Sequence, residues 1–138
     1  MVMKTQLTFL IVHERSHNVR SELQRQWGGS ADVKFRTLYR DDLGESQLRD
    51  MNRHVRRLTE IVRRLGSPVD FVVLTGPKIL IVPVVVWVLR NSPDTKFLAF
   101  SKGSYAEIDP HKIIGSLKSD VSRREVEVHE DVESYKVA

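Results

Sequence analysis

Val69-Asp70-Phe71-Val72-Val73-Leu74, broken at once by Thr75-Gly76-Pro77-Lys78 and followed by the apolar run Ile79 to Leu89, is the stretch that decides the fold. The first six residues are rich in strand formers and end at a Thr-Gly break, so they read as a buried strand. The run behind the break is ambiguous. Its valines and isoleucines prefer strand, and Pro83 opposes a regular helix. Pro77, however, suits a first helical turn, and a helix buried all round needs no polar face. A buried helix bent at Pro83 is the favoured reading, with a strand pair as the alternative. A membrane span needs about 20 apolar residues, so the run is core.

Upstream, Leu7 to Val12 is a continuous apolar run, as expected for a strand covered on both faces. The polar segment His13-Glu14-Arg15-Ser16-His17-Asn18 follows, then Val19, Leu23 and Trp27 at helical spacing, stopped by Gly28-Gly29. Val33 to Tyr39 alternates as a second strand. Leu48, Met51, Val55, Leu58, Val62 and Leu65 share one face of a long helix that ends at Gly66-Ser67-Pro68, with arginines on the remainder. That apolar stripe packs on a sheet or, alternatively, docks a partner helix.

Downstream, Asn91 to Asp94 is a turn and Lys96 to Phe100 a fourth strand, followed by a polar loop from Ser101 to Tyr105. Pro110 opens a short helix through Ile113, Ile114 and Leu117. Val126, Val128 and Val132 alternate in an acidic tail that suits an edge strand. Strand and helix alternating in this way predict an α/β fold with a mostly parallel sheet flanked by helices, in one domain over 1–138.

The whole chain has 138 residues, of which 41% are hydrophobic and 29% charged, which excludes wholesale disorder. It has no cysteine, excluding disulfides, thiolate zinc sites and cysteine nucleophiles. The net charge of +4 mildly favours anionic partners, but the signs are too interspersed for a long nucleic acid. With neither a signal sequence nor a membrane span, the expected location is the cytoplasm.

In open parallel sheets, ligands bind beyond the carboxyl ends of the strands. The loops there bring Arg15, Ser16 and His17; Arg40; Thr75, Gly76, Pro77 and Lys78; and Ser101, Lys102 and Tyr105. A Thr-Gly turn opening a helix presents backbone amides to an anion, and Lys78 adds a mobile charge. The plainer reading is an ordinary strand-to-helix turn. The spacing is neither a phosphate-binding P-loop nor a dinucleotide GxGxxG. His13 and His17 are four apart but lack a third ligand, so no metal is expected. His54 reads as a surface residue among arginines. Tyr105 can stack on a base or simply pack on the sheet edge, and Trp27 and Trp87 read as core.

A strand ending in a Ser-containing loop, a long helix, and then strand, Thr75-Gly76-Pro77-Lys78 and helix together resemble the CARF superfamily, the CRISPR-associated Rossmann-fold sensors of cyclic oligoadenylates. Pro77 stands where that family commonly has a Gly-Thr pair, so the match is a shortened one. With no room for an effector nuclease, the chain is similar to the small stand-alone ring nucleases. That resemblance implies a homodimer that binds cyclic tetra- or hexa-adenylate and opens it by 2′-hydroxyl attack, without metal or cofactor. Lys78, His17 and Ser16 would carry catalysis. Thr75, Gly76, Pro77, Arg15, Arg40, Ser101, Lys102 and Tyr105 would bind the ligand. Val84 to Leu89, or the tail, would form the dimer interface. A non-catalytic sensor and an interaction protein without nucleotide remain the alternatives.

Overall fold

The computed structural model describes residues 5–15 and 18–113. The chain divides into two units, Met1–Ile108 and Asp109–Ala138. In the second, a helix begins at Pro110, with the Asp109 carboxylate accepting from the His111 amide at 2.9 Å. The expected Ile114 and Leu117 turns, and the tail, lie outside the described residues.

The first unit is an α/β Rossmann-like domain. Its elements run β1 (Thr5–His13), α1 (Asn18–Trp27), β2 (Ala31–Tyr39), α2 (Glu45–Leu48), α3 (Met51–Leu65), β3 (Phe71–Val73), α4 (Lys78–Asn91), β4 (Lys96–Ser101) and β5 (Ser104–Ile108). The sheet order is β2-β1-β3-β4-β5, parallel except for the antiparallel β4–β5 pair. The chain moves outward from β1 in one direction to β2 and in the other to β3, so the topological switch point lies between β1 and β3.

Side chains alternate across the sheet and fill two layers. On one face Phe9, Ile11, Val73, Leu98 and Tyr105 pack with Val19 and Leu23 of α1. Phe9 is the hub: Phe71 stacks on it with centroids 5.1 Å apart, and Trp27 meets it edge-on at 5.4 Å. On the other face Leu10, Val12, Val72 and Phe97 are buried, as are Leu58 of α3 and Leu80, Val84, Val85 and Val88 of α4. Residues 79–89 are thus helix, and the strand-pair alternative is excluded. Burial on the sheet outweighs the strand propensity of the valines.

Several expectations need correction. The stripe from Leu48 to Leu65 is not one helix: Asp50 caps a new start, its carboxylate accepting from the Arg53 amide at 3.1 Å. Gly66, at φ 66°, closes α3 in the left-handed conformation. The expected loop from Ser101 to Tyr105 is a hairpin. Lys102 (φ 52°) and Gly103 (φ 87°) form its turn, and two positive φ values suit the right-handed twist of paired strands. The third strand is also shorter than Val69 to Leu74, because the Asp70 carboxylate takes the Thr8 amide at 2.7 Å.

His54 is not on the surface. It is fully buried, as is the neighbouring Leu58, and Tyr39 is nearly so. A carbonyl can only accept, so Nε2–H of His54 donates to Leu48 O at 2.8 Å and Nδ1 takes the Tyr39 hydroxyl at 2.7 Å. The arginine-rich face conceals this pair because Arg57 folds back over the Tyr39 ring at 4.6 Å. The Arg57 guanidinium also donates to Leu38 O at 2.6 and 3.1 Å, covering an open carbonyl of edge strand β2. Burial pushes the Tyr39 phenol up, against the opposing pull of Arg57 and Arg53. Trp27 packs against the core as expected, whereas Trp87 is half-buried in a groove between α3 and α4.

Tyr39→Phe leaves a buried imidazole nitrogen without its donor, so it should lower the unfolding free energy by about 1–3 kcal/mol. Urea denaturation followed by circular dichroism checks this. A variant as stable as the parent would mean that the pair contributes nothing.

Candidate functional site

The site is built where β1 and β3 end side by side. The ladder pairs Ile11 with Val73, and β3 then stops. Thr75 extends it by one rung with its side chain: Oγ1 donates to His13 O at 2.7 Å and accepts from the His13 amide at 3.1 Å. The two strand ends are thereby fixed to each other at the switch point.

Gly76 then turns the chain toward α4 at φ 105°, a conformation that side-chain-bearing residues rarely adopt. The turn lies directly on the imidazole of His13. A Cβ at residue 76 would sit 2.8 Å from His13 Cβ and 3.3 Å from Nδ1, so glycine is required for space as well as for φ. His13 also reaches the loop after β2, its Nε2–H donating to Asp41 O at 2.9 Å. Expected in a polar loop, His13 is the buried last residue of β1 and joins three loops.

Pro77 is the N-cap of α4 and Lys78 its first residue, both exposed. α4 thus begins beside the Thr75–His13 junction, where its dipole favours an anion, although the Leu80 and Ile81 amides are taken by Pro77 O at 3.0 and 3.1 Å.

Glu14 anchors the far side. Arg20 grips its carboxylate with two bonds of 2.8 and 3.0 Å, Thr37 Oγ1 donates at 2.7 Å, and Arg40 stands 3.7 Å away. Burial pushes this carboxyl up, but the hydrogen bonds from Arg20 and Thr37 and the charges of Arg20 and Arg40 outweigh it. The net effect holds Glu14 below the ordinary carboxylate range. Arg15 pairs with Asp42 at 2.8 Å, with both side chains largely exposed. Pairs exposed on both sides are weak, so Arg15 can exchange Asp42 for an incoming anion at small cost, whereas Arg40 is exposed but faces the largely buried Glu14.

Thr75, Gly76, Pro77 and Lys78 therefore meet the end of β1, and Arg15 and Arg40 lie on the loops beside it. Ser16 and His17 lie outside the described residues. Ser101 and Lys102 sit at the β4–β5 turn, on the same carboxyl edge but farther across the sheet. Tyr105 is buried in β5, only 7% exposed; its amide donates to Gln26 Oε1 at 2.8 Å and its carbonyl accepts from Gln26 Nε2 at 2.9 Å. It serves the core and offers no open ring for stacking. Val84, Val85 and Val88 face the sheet, while Val86, Trp87 and Leu89 are half-buried, Val86 and Trp87 lining the groove between α3 and α4. Among the described residues, no three of His, Asp or Glu gather as a metal site, and no helix is long and apolar enough to cross a membrane.

No protein-family model matches the chain, and neither does any curated protein or solved structure. The resemblance to CARF proteins stands on its quoted motifs alone.

Two outcomes follow from this geometry. Gly76→Ala should cost about 2 kcal/mol or more, since unfavourable φ alone costs about 1–3 kcal/mol, and should shift the His13 ring resonances. Unchanged stability and resonances would contradict the close approach. Because the folded-state pKa of Glu14 is depressed, its stabilisation is complete above the unfolded value of about 4.5 and is lost as pH falls through the folded value. Glu14→Gln should therefore flatten the acid limb of stability against pH in urea titrations. An unaltered limb would show that the clamp has no such role.

Proposed function

We propose that the protein binds a cyclic oligoadenylate at the β1–β3 switch point and opens the ring. The observation that carries the reading is the junction of Thr75 with His13, which sets the Gly76-Pro77-Lys78 turn and the start of α4 at the position where parallel sheets of this order take nucleotides. The positive end of α4 and the Lys78 cation then supply charge suited to a phosphate.

In this reading a ribose 2′-oxygen attacks its own 3′-phosphorus. The new P–O2′ bond displaces the 5′-oxygen of the next nucleotide, which takes up a proton, leaving 2′,3′-cyclic phosphate and 5′-hydroxyl ends. The protein contributes alignment and charge stabilisation. Lys78 and the amides after Thr75 hold the scissile phosphate, Ser16 and His17 align or deprotonate the 2′-hydroxyl, and Arg15 and Arg40 meet neighbouring phosphates. A ring of four or six nucleotides has internal symmetry, so a two-fold dimer that doubles these loops suits it.

A second reading, an interaction protein, is favoured by one observation. Met51, Val55 and Ile79 are exposed along the groove between α3 and α4, which also holds Trp87. Val55→Asp would break an assembly formed there and leave nucleotide binding intact.

The test is a melting curve with cyclic tetra- and hexa-adenylate in EDTA, read with chromatography of the incubated ligand. Ligand at 100 times its dissociation constant adds about 2.7 kcal/mol of stability. Linear product, lost in Lys78→Ala, is the expected outcome. A shift with intact ligand would mean a sensor without catalysis, and neither shift nor product would refute the nucleotide reading.

A further inference from the structure

The burial of Tyr105 leaves its neighbour in an unusual state. Phe100, cross-strand partner of Tyr105 in the β4–β5 hairpin, is 57% exposed, the most open large apolar side chain among the described residues. The Phe100 and Tyr105 rings meet in an edge-to-face contact, with centroids 5.1 Å apart at 63°, which leaves more than half of Phe100 open. Phe100 and Tyr105 form the inner wall of a groove of about 590 Å³ beside the first turns of α1, whose rim carries Asn18, Ser21, Glu22 and Arg25. An aromatic floor with an amide, a hydroxyl and charged groups around it suits a flat heterocycle that has hydrogen-bonding edges.

Sheet register gives the groove its place. Ile11 pairs with Val73 and Val73 with Leu98, so His13 and Phe100, each two residues farther along, lie level on β1 and β4, and Thr75, its hydroxyl bonded to His13, follows the end of the intervening β3. The ladder continues in this register past Val73, with the Leu74 amide on Leu98 O at 2.8 Å. At about 4.8 Å per strand, the Phe100 backbone lies two strands from His13, to which Thr75 is bonded. A phosphate seated on the Thr75–Lys78 turn therefore has Phe100 within the reach of its own nucleotide. Phe100 projects on the α1 side of the sheet, as Leu98 does, so the base would lie over the carboxyl edge on that side.

We infer that the groove between α1 and the β4–β5 hairpin is a nucleobase subsite, with Phe100 as its stacking platform in place of the buried Tyr105. This rests on the nucleotide reading of the switch point and adds to it a second contact region with separate chemistry. Stacking tolerates any base, because each offers a π-face, and the polar rim is where adenine would be told from other bases.

The experiment titrates cyclic tetra-adenylate and adenosine 5′-monophosphate into full-length protein, into Phe100→Ala and into Phe100→Trp, with ribose 5-phosphate as the ligand without a base. Because Phe100 is exposed, both variants should keep the parent's melting temperature, which is checked first. Loss of a stacking platform weakens binding by about tenfold or more. Phe100→Ala should show that loss for both adenine ligands and none for ribose 5-phosphate. Phe100→Trp should restore binding, and its added indole fluorescence should be quenched on saturation. If the parent binds cyclic tetra-adenylate and Phe100→Ala binds it within twofold, the subsite is overturned while the switch-point reading stands. If the parent binds only the monophosphate, in a Phe100-dependent way, the subsite stands and the cyclic ligand is wrong. Binding of neither adenine ligand overturns both.

Discussion

The Thr75 hydroxyl, held between the amide and the carbonyl of His13, is the interaction on which the rest of the molecule's carboxyl edge depends. His13 pairs with Tyr39 of β2, but on the β3 side its amide and carbonyl would otherwise lack a strand partner, because β3 ends at Val73. One side chain closes that gap. With the strand ends fixed, Gly76 can pass over the imidazole, and the imidazole can in turn hold the Asp41 carbonyl. Three loops therefore share one rigid point, and α4 starts from it. Such preorganisation suits a binding site, because the loops need no reordering when a ligand arrives.

Around that point the electrostatics are balanced rather than strongly positive. Arg20 and Arg40 neutralise Glu14, and Arg15 faces Asp42. Selectivity for an anion here would come from the positive end of α4 and from the exposed Arg15–Asp42 pair, more than from a broad field. The buried core imposes few constraints on this edge. Phe9 and its aromatic neighbours tie α1 to the sheet, while α4 lies against the opposite face.

Much of this architecture was legible in the residues. Leu7 to Val12 and Val69 to Leu74 read as buried strands because strands covered on both faces lose the polar alternation. Thr75 to Lys78 was visible as a break between a strand and a helix. Helix rather than strand at 79–89 was legible only from Pro77 and from the lack of a polar face. The rest depended on long-range register. Nothing local announces that Asp50 will cap a second helix, or that Asp70 will replace a ladder bond with its carboxylate. His54 is flanked by arginines in sequence, yet its ring turns inward to Tyr39, fifteen residues upstream. Lys102-Gly103 was a readable turn signal, but its consequence, a fifth strand that buries Tyr105 and exposes Phe100, emerges only once β4 is placed in the sheet.

The central claim is that the Thr75–His13 junction organises a nucleotide site, and it can be tested apart from catalysis. Isothermal titration of cyclic tetra-adenylate against the parent and Thr75→Val, which keeps the side chain's shape but removes its hydrogen bonds, is the most direct measurement. Amide exchange at His13 should be read alongside it. The account predicts faster exchange at His13 and affinity weaker by about tenfold, with the fold retained, since losing one such bond costs about 1–1.5 kcal/mol. Equal affinity in the two proteins, with His13 exchange accelerated, would contradict it.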